Sequence, residues 1–224
     1  MKIQMHIAYT LITSLLLNFG VSSCSNVNST ELVNLEAEVQ KGNEIATFAG
    51  GCFWCTEAVF ERVNGVKNVV SGYTGGKENN PTYEDVSYGR STHAEAIQIY
   101  YDPKVISYQE LLEVFFYTHD PTQVNRQGPD VGTQYRTEVF YHDENQKKLA
   151  TDYISKLNQS GKYNKPIATK VTEYTKFWLA EDYHQNYYEL NPGNPYIINI
   201  AVPKVNKLKE HFPNLVKKKY ASEK

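Results

Sequence analysis

The stretch His93–Tyr101 alternates, with Ala94, Ala96, Ile97 and Ile99 as its apolar positions, and stops at Asp102-Pro103. Period-two alternation of this kind predicts a strand. Glu44–Ala49, Val66–Tyr73, closed by Thr74-Gly75-Gly76, and Thr133–Tyr141 predict further strands. Helical spacing appears in Cys52–Arg62, where Ala58, Val59 and Phe60 are apolar and Asn64-Gly65 ends the run. It recurs in Tyr108–Tyr117, with Ser107 placed to cap the first turn, and in Glu144–Leu157. A long polar loop through Asn79-Asn80-Pro81 separates the second strand from the third.

The order is strand, helix, strand, strand, helix, strand. This βαββαβ succession places the chain in the α/β (α+β) class with a split βαβ, ferredoxin-like core. Beyond Tyr163 the pattern loosens. It holds a strand at Val171–Tyr174, a helix near Ala180–Glu189, a Pro/Asn/Gly-rich stretch at Asn191–Tyr196 and a last helix at Lys204–His211. These predict an irregular C-terminal wrapping, the kind of segment that often carries function.

The first residues read differently. Lys2 precedes a mostly apolar run, Ile7 to Phe19, and Val21-Ser22-Ser23-Cys24 follows. The run is too short and interrupted for a membrane span and fits an export signal. Its VSSC ending resembles a bacterial lipoprotein processing site, in which Cys24 becomes the lipidated N-terminus. The organisation expected is a lipoprotein-type signal peptide over 1–24, a polar tether over 25–43, a catalytic domain over 44–212 and a solvated basic tail over 213–224. The protein is then exported and membrane-anchored through lipid, at the periplasm or cell surface.

Composition narrows the partners. The 224 residues are 41% hydrophobic and 21% charged with a net charge of −2, so one domain with a real core is expected and a nucleic-acid face is not. A monomer is expected. Tyrosine is abundant at 18 residues, and phenols supply donors as well as apolar faces.

Gly50 to Phe60, GGCFWCTEAVF, carries the candidate chemistry. Cys52 falls where a strand gives way to a helix, and free N–H groups with the helix dipole favour an anion there. A thiol so placed is expected to titrate below its ordinary value, and the thiolate is the reactive form. Cys55, one turn on, can resolve what Cys52 forms. Three other readings stand beside this one. Cysteine is a common core residue. A CxxC pair can be half of a zinc site, although no second CxxC or Cys/His pair follows. It can also be a thioredoxin-like redox pair.

GCFWC resembles the peptide-methionine (S)-S-oxide reductases, and four later stretches carry the same likeness. They are GYTGG (Gly72–Gly76), HAEAIQIYYDP (His93–Pro103), GTQYR (Gly132–Arg136) and AEDYHQNY (Ala180–Tyr187). The resemblance spans about Glu44 to Ile198 and implies a ferredoxin-like α/β core. It also implies roles. Cys52 matches the nucleophile, and Phe53 and Trp54 the aromatic wall around the methyl group on sulfur. Glu95 matches the acid that protonates the sulfoxide oxygen, and Tyr83 and Tyr135 the phenols that bond it. Asp130 and His184 match residues that line or brace the pocket.

Chemistry asks for these types. Sulfoxide sulfur is attacked only when its oxygen gains positive character, which two phenols and a neutral carboxylic acid can supply. Glu95 is then expected to be protonated, its pKa raised by burial among aromatics. Read without the resemblance, Glu95 could equally be an exposed strand carboxylate, Tyr83 and Tyr135 packing residues, and His184 a structural helix histidine.

The implied cycle passes through a Cys52 sulfenic acid and a Cys52–Cys55 disulfide opened by thioredoxin or a similar dithiol, with no cofactor and no metal. Many family members recycle through C-terminal cysteines, whereas here no cysteine follows Cys55. A general extracytoplasmic thiol–disulfide oxidoreductase shares CxxC and the export signal. It has no need of Glu95 and the tyrosines, and wants a cis-proline opposite the pair. A surface protein that merely binds oxidised peptides is the non-enzymatic reading.

Overall fold

The computed structural model describes residues 37–39 and 41–222. The signal, its Cys24 and most of the expected tether lie outside these residues. Among the described residues, no helix is long and apolar enough to cross a membrane.

Six strands form one mixed sheet: β1 (Glu44–Gly50), β2 (Val66–Thr74), β3 (Ala94–Tyr101), β6 (Thr137–Tyr141), β7 (Lys170–Glu173) and β8 (Phe177–Leu179). A small separate hairpin pairs β4 (Arg126–Gln127) with β5 (Asp130–Val131). The sheet order is β7-β6-β1-β3-β2-β8, antiparallel except for the β6–β7 pair. The helices are α1 (Phe53–Glu61), α2 (Tyr83–Ser87), α3 (Tyr108–Thr118), α4 (Glu144–Gln159), α5 (Tyr187–Leu190) and α6 (Val202–His211).

Strand alternation sorts the side chains onto two faces. Ala46 and Phe48 of β1, with Ile97, Ile99 and Tyr101 of β3, join the main core against α1 and α3. Phe48 stacks on Phe115 at 4.8 Å and meets Phe60 at 5.8 Å. Burying each such ring contributes about 1.5–3 kcal/mol. The opposite face carries Ala49, Ala94, Ala96 and Phe140, closed over by Tyr174 and Phe177. Both faces are therefore covered, and all eight residues of β3 are buried. Glu95 shares its parity with Ile97 and Ile99, so it points to the helical side, directly opposite Tyr73 in the β2–β3 ladder.

Three expectations are corrected. The strand expected over Thr133–Tyr141 begins only at Thr137, because Thr133–Tyr135 turns as a 3-10 helix entered from Gly132 at φ 148°. The helix expected near Ala180–Glu189 is two pieces, a 3-10 turn at Asp182–His184 and α5, separated by Asn186 in the left-handed region at φ 53°. The polar loop after β2 contains α2, started by a capping box in which Thr82 and Asp85 bond each other's backbone N–H. The cap foreseen at Ser107 is present, with Glu110 as its reciprocal partner.

The Lys217–Lys219 run is solvated only in part. Lys218 and Lys219 are exposed, whereas Lys217 donates its ammonium to the Glu61 carbonyl at 2.7 Å and Val216 pairs with Val63. The anchor beneath is Arg62, fully buried at the end of α1. Its guanidinium lies 4.5 Å from the Tyr188 ring and 4.5 Å from the Tyr220 ring, and pairs with Glu189. A planar cation held between two rings ties α5 and the chain end to α1.

Candidate active site

Gly50 and Gly51 carry the chain from β1 to α1. Gly51 has φ +91°, and a Cβ there would stand 2.5 Å from Gln127 Cβ. The turn needs glycine for its backbone and for the approach of the β4–β5 hairpin. Gln127 is fixed in turn by two hydrogen bonds to the backbone of Asp120.

Cys52 is the N-cap of α1, with non-helical backbone at φ −55° and ψ 126°, and its side chain makes no cap bond. The first helical N–H, that of Phe53, goes instead to Glu95 Oε2 at 3.1 Å. The charge-stabilising end of the helix is thus spent on Glu95 rather than on Cys52. This overturns the expectation of a depressed Cys52 thiol. Burial pushes Cys52 well up, and its hydrogen bond with Cys55 adds to the rise. Cys55 comes down to about 7, first because Cys52 bonds its sulfur, with the Lys204 ammonium also contributing. Both thiols are free. Within the substrate-free pair Cys52 is thus the firmer holder of its proton and Cys55 the readier to ionise.

Around Cys52 a cavity of about 180 Å³ is lined by Phe53, Trp54, Tyr83, Glu95, Asp130, Tyr135 and Tyr196. Glu95 is 1% exposed, and burial lifts its carboxyl to about 8, against the opposing bond from the Phe53 N–H. The exposed-carboxylate reading is thereby excluded. One carboxyl oxygen accepts from Phe53, and the other is available to carry a proton into the cavity. Tyr83 is the first residue of α2 and Tyr135 the last of the 3-10 turn, so the start of one short helix and the end of another bring their phenols to the same cavity. Burial raises the Tyr83 hydroxyl to about 12 and Tyr135 in the same direction, so both remain donors at neutral pH.

His184 does not line the cavity; it stands behind its wall. Its Nδ1 accepts from Trp54 Nε1–H at 3.1 Å, and its ring meets Tyr83 at 4.4 Å and Phe53 at 5.0 Å. Burial lowers it to about 4, which keeps it neutral and able to accept. Trp54 is pinned from its other face by Tyr187, stacked at 3.7 Å.

Three further residues were not singled out from the sequence. Tyr196 ends the Pro/Asn/Gly-rich stretch; its hydroxyl donates to Asp130 Oδ2 at 2.5 Å and lies 3.9 Å from Cys55 Sγ. Glu181 accepts from the Tyr73 hydroxyl at 2.9 Å and from the Tyr83 N–H at 2.8 Å, fixing α2 against β2. Lys204 buries its ammonium without a hydrogen-bond partner. The signal available for Tyr196 and Glu181 was their place in or beside motif stretches; for Lys204 there was none. Among the described residues, no group of three or more His, Cys, Asp or Glu is placed to hold a metal ion.

Known proteins resemble this chain in sequence and fold. The family profile described as "Peptide methionine sulfoxide reductase" matches residues 44–216. Peptide methionine sulfoxide reductase MsrA 1 of Rhodopirellula baltica is 50% identical over 183 residues, covering 82% of this chain and 94% of that protein. The MsrA of Haloquadratum walsbyi is 53% identical over 170 residues, covering 76% and 97%. Among solved structures, methionine sulfoxide reductase A of Corynebacterium diphtheriae superposes with a TM-score of 0.63 at 33% identity, covering 70% of this chain and 79% of that one. Reduced Mxr1 of Saccharomyces cerevisiae gives 0.61 at 36%, covering 68% and 87%. With the profile covering the whole described sheet and its cavity, the chain belongs to the peptide methionine sulfoxide reductase family.

Proposed function

We propose that this enzyme reduces methionine S-sulfoxide, free or within polypeptides, using Cys52 as nucleophile and Cys55 as resolving thiol. The observation that carries this reading is the neutral carboxyl of Glu95 beside Cys52 in a cavity walled by Phe53, Trp54 and two phenols. In the proposed cycle Tyr83, Tyr135 and Glu95 donate to the sulfoxide oxygen. The Cys52 proton moves to Cys55, which puts the negative charge on Cys52. Cys52 Sγ bonds to the sulfoxide sulfur, Glu95 protonates the oxygen, and oxygen passes to Cys52 as the sulfenic acid while methionine leaves. Cys55 attacks that sulfur, water departs, and a Cys52–Cys55 disulfide forms. Thioredoxin or an equivalent dithiol opens it by exchange. Oxygen, protons and electrons balance with thiols alone, so no prosthetic group enters.

The Cys52 side chain supports the disulfide step: its sulfur makes no cap bond, while its carbonyl holds the Cys55 and Thr56 N–H groups and so keeps the two cysteines one turn apart. The order β6-β1-β3-β2, antiparallel throughout, supports the ferredoxin-like reading of the core. The decisive measurement is turnover on the two separated epimers of a methionine sulfoxide peptide, run beside insulin reduction. Reduction of the S epimer alone is expected; insulin reduction without sulfoxide reduction would instead establish the general oxidoreductase.

The export signal and VSSC sequence support a further proposal, that Cys24 is lipidated and anchors the chain outside the cytoplasm, with residues 25–43 as tether and 213–224 as the chain end. Cys24→Ser is expected to shift the protein from the membrane to the soluble fraction and abolish fatty-acid labelling. Unchanged labelling would refute the anchor.

A further inference from the structure

A second cavity, about 860 Å³, opens beside the first and has no part in the cycle above. Arg126 of β4, Lys162 and Lys165 after α4, and Lys207 of α6 line it, all exposed. The one carboxylate in its wall, Asp120, is occupied by the Thr122 N–H and hydroxyl and by Gln123. His119, also in the wall, stays neutral because burial holds it at about 4. Lys162 sits 4.5 Å above the Tyr117 ring, which fixes one cation at the groove's edge. On a chain of net charge −2, four cations from three segments outnumber the single carboxylate of Asp120 and form a local reversal of sign.

The groove and the sulfoxide cavity are both lined from the β4–β5 hairpin. Gly128 lines the groove, and Asp130, two residues on, lines the cavity. An extended polypeptide covers about 3.3–3.6 Å per residue. A client leaving the cavity across this hairpin therefore reaches the groove within about two to four residues. Val124 and Val131, 70% and 66% exposed on and beside the hairpin, offer apolar contact along that path.

We propose that this groove is a subsite for acidic side chains of the oxidised polypeptide, placed two to four positions from the methionine sulfoxide. The proposal rests on the reductase reading and adds a substrate class to it. A concave, cation-lined groove reached through the sulfoxide site suits an extended acidic segment, and charge complementarity supplies selection and faster encounter. The contribution is made by exposed charges, so salt weakens it.

The test uses the whole protein with dithiothreitol as reductant and matched peptides bearing one methionine S-sulfoxide. Glutamates, alanines or lysines stand two to four positions away, and N-acetyl-methionine sulfoxide reports the chemistry without flanks. The glutamate peptides are expected to exceed the lysine peptides in kcat/KM by about tenfold at low salt, a ratio that collapses in about 0.5 M salt. The triple variant Lys162→Glu, Lys165→Glu, Lys207→Glu is expected to invert the preference while N-acetyl-methionine sulfoxide turns over at the wild-type rate. Should the triple variant not fold, Lys165→Glu alone is expected to cut the ratio by about half. Equal kcat/KM across the peptides overturns the proposal. So does a preference that survives the variant, or a variant whose only defect, in a parallel assay with thioredoxin in place of dithiothreitol, is a raised KM for thioredoxin, which would make the groove a reductant surface. Failure of wild type on N-acetyl-methionine sulfoxide would overturn the reductase reading beneath it.

Discussion

Cys55→Ser, made in a Cys24→Ser background, is expected to release one equivalent of methionine per enzyme and then stop when thioredoxin is the sole reductant. Cys24 and Cys55 are the only other thiols in the chain, so no internal route to a disulfide survives. Cys52 would remain as a sulfenic acid in a half-closed cavity that a small thiol enters and a folded dithiol protein does not. Dithiothreitol should therefore restore multiple turnover, whereas thioredoxin should not. The readout is methionine released in a rapid-mix experiment, compared with steady-state reductant consumption. Undiminished turnover with thioredoxin would mean that it attacks Cys52 directly and that Cys55 has another purpose.

The strands and the first two long helices were legible because their signals are local. Ser107 with Glu110 marks a helix start within four residues, and the alternation of His93–Tyr101 survives burial of both faces because Ala94 and Ala96 fill one side and Ile97 and Ile99 the other. The segments misread are short and set by distant partners. α2 spans five residues with a single buried apolar side chain, Val86, too little for any period to show. Its position depends on Glu181, almost a hundred residues away. Tyr135 sits in a turn rather than a strand because Gly132 takes a conformation that side-chain-bearing residues avoid.

The chemistry followed the same divide. Motif stretches marked Cys52, Glu95 and the two phenols, but they do not encode who receives the first N–H of α1. Sequence position alone awarded it to Cys52. In space the strand parity of Glu95 brings its carboxyl under Phe53, and burial then raises both groups, with Cys55 adding to the rise at Cys52 and the Phe53 N–H opposing it at Glu95. Tyr196 stands beside a motif stretch, but its bridge between Asp130 and Cys55 is made by residues 66 and 141 positions away, which local sequence does not encode.

Glu95→Gln is expected to lower kcat/KM for the S-sulfoxide by about 10²–10⁴, the usual worth of a positioned general acid. The amide keeps an oxygen for the Phe53 N–H, so the wall of the cavity stays in place while the transferable proton is lost. The pH dependence separates this from a packing defect. Glu95 titrates at about 8, and only its neutral form donates, so the first-turnover rate of wild type should fall as pH rises through about 8. The variant should show no such limb, since its amide does not ionise there. Stability moves by the same group. A carboxyl whose folded-state pKa is raised favours the fold while protonated, and that advantage is lost from its ordinary value of 4.5 up to about 8. Wild type should therefore lose thermal stability across this interval, and Glu95→Gln should lose less. At pH 9 the variant should then melt above wild type relative to their order at pH 4. A wild-type rate that stays level past pH 9 while the variant remains impaired would show that Glu95 acts as an ionised group, and proton delivery would have to come from Tyr83 or Tyr135.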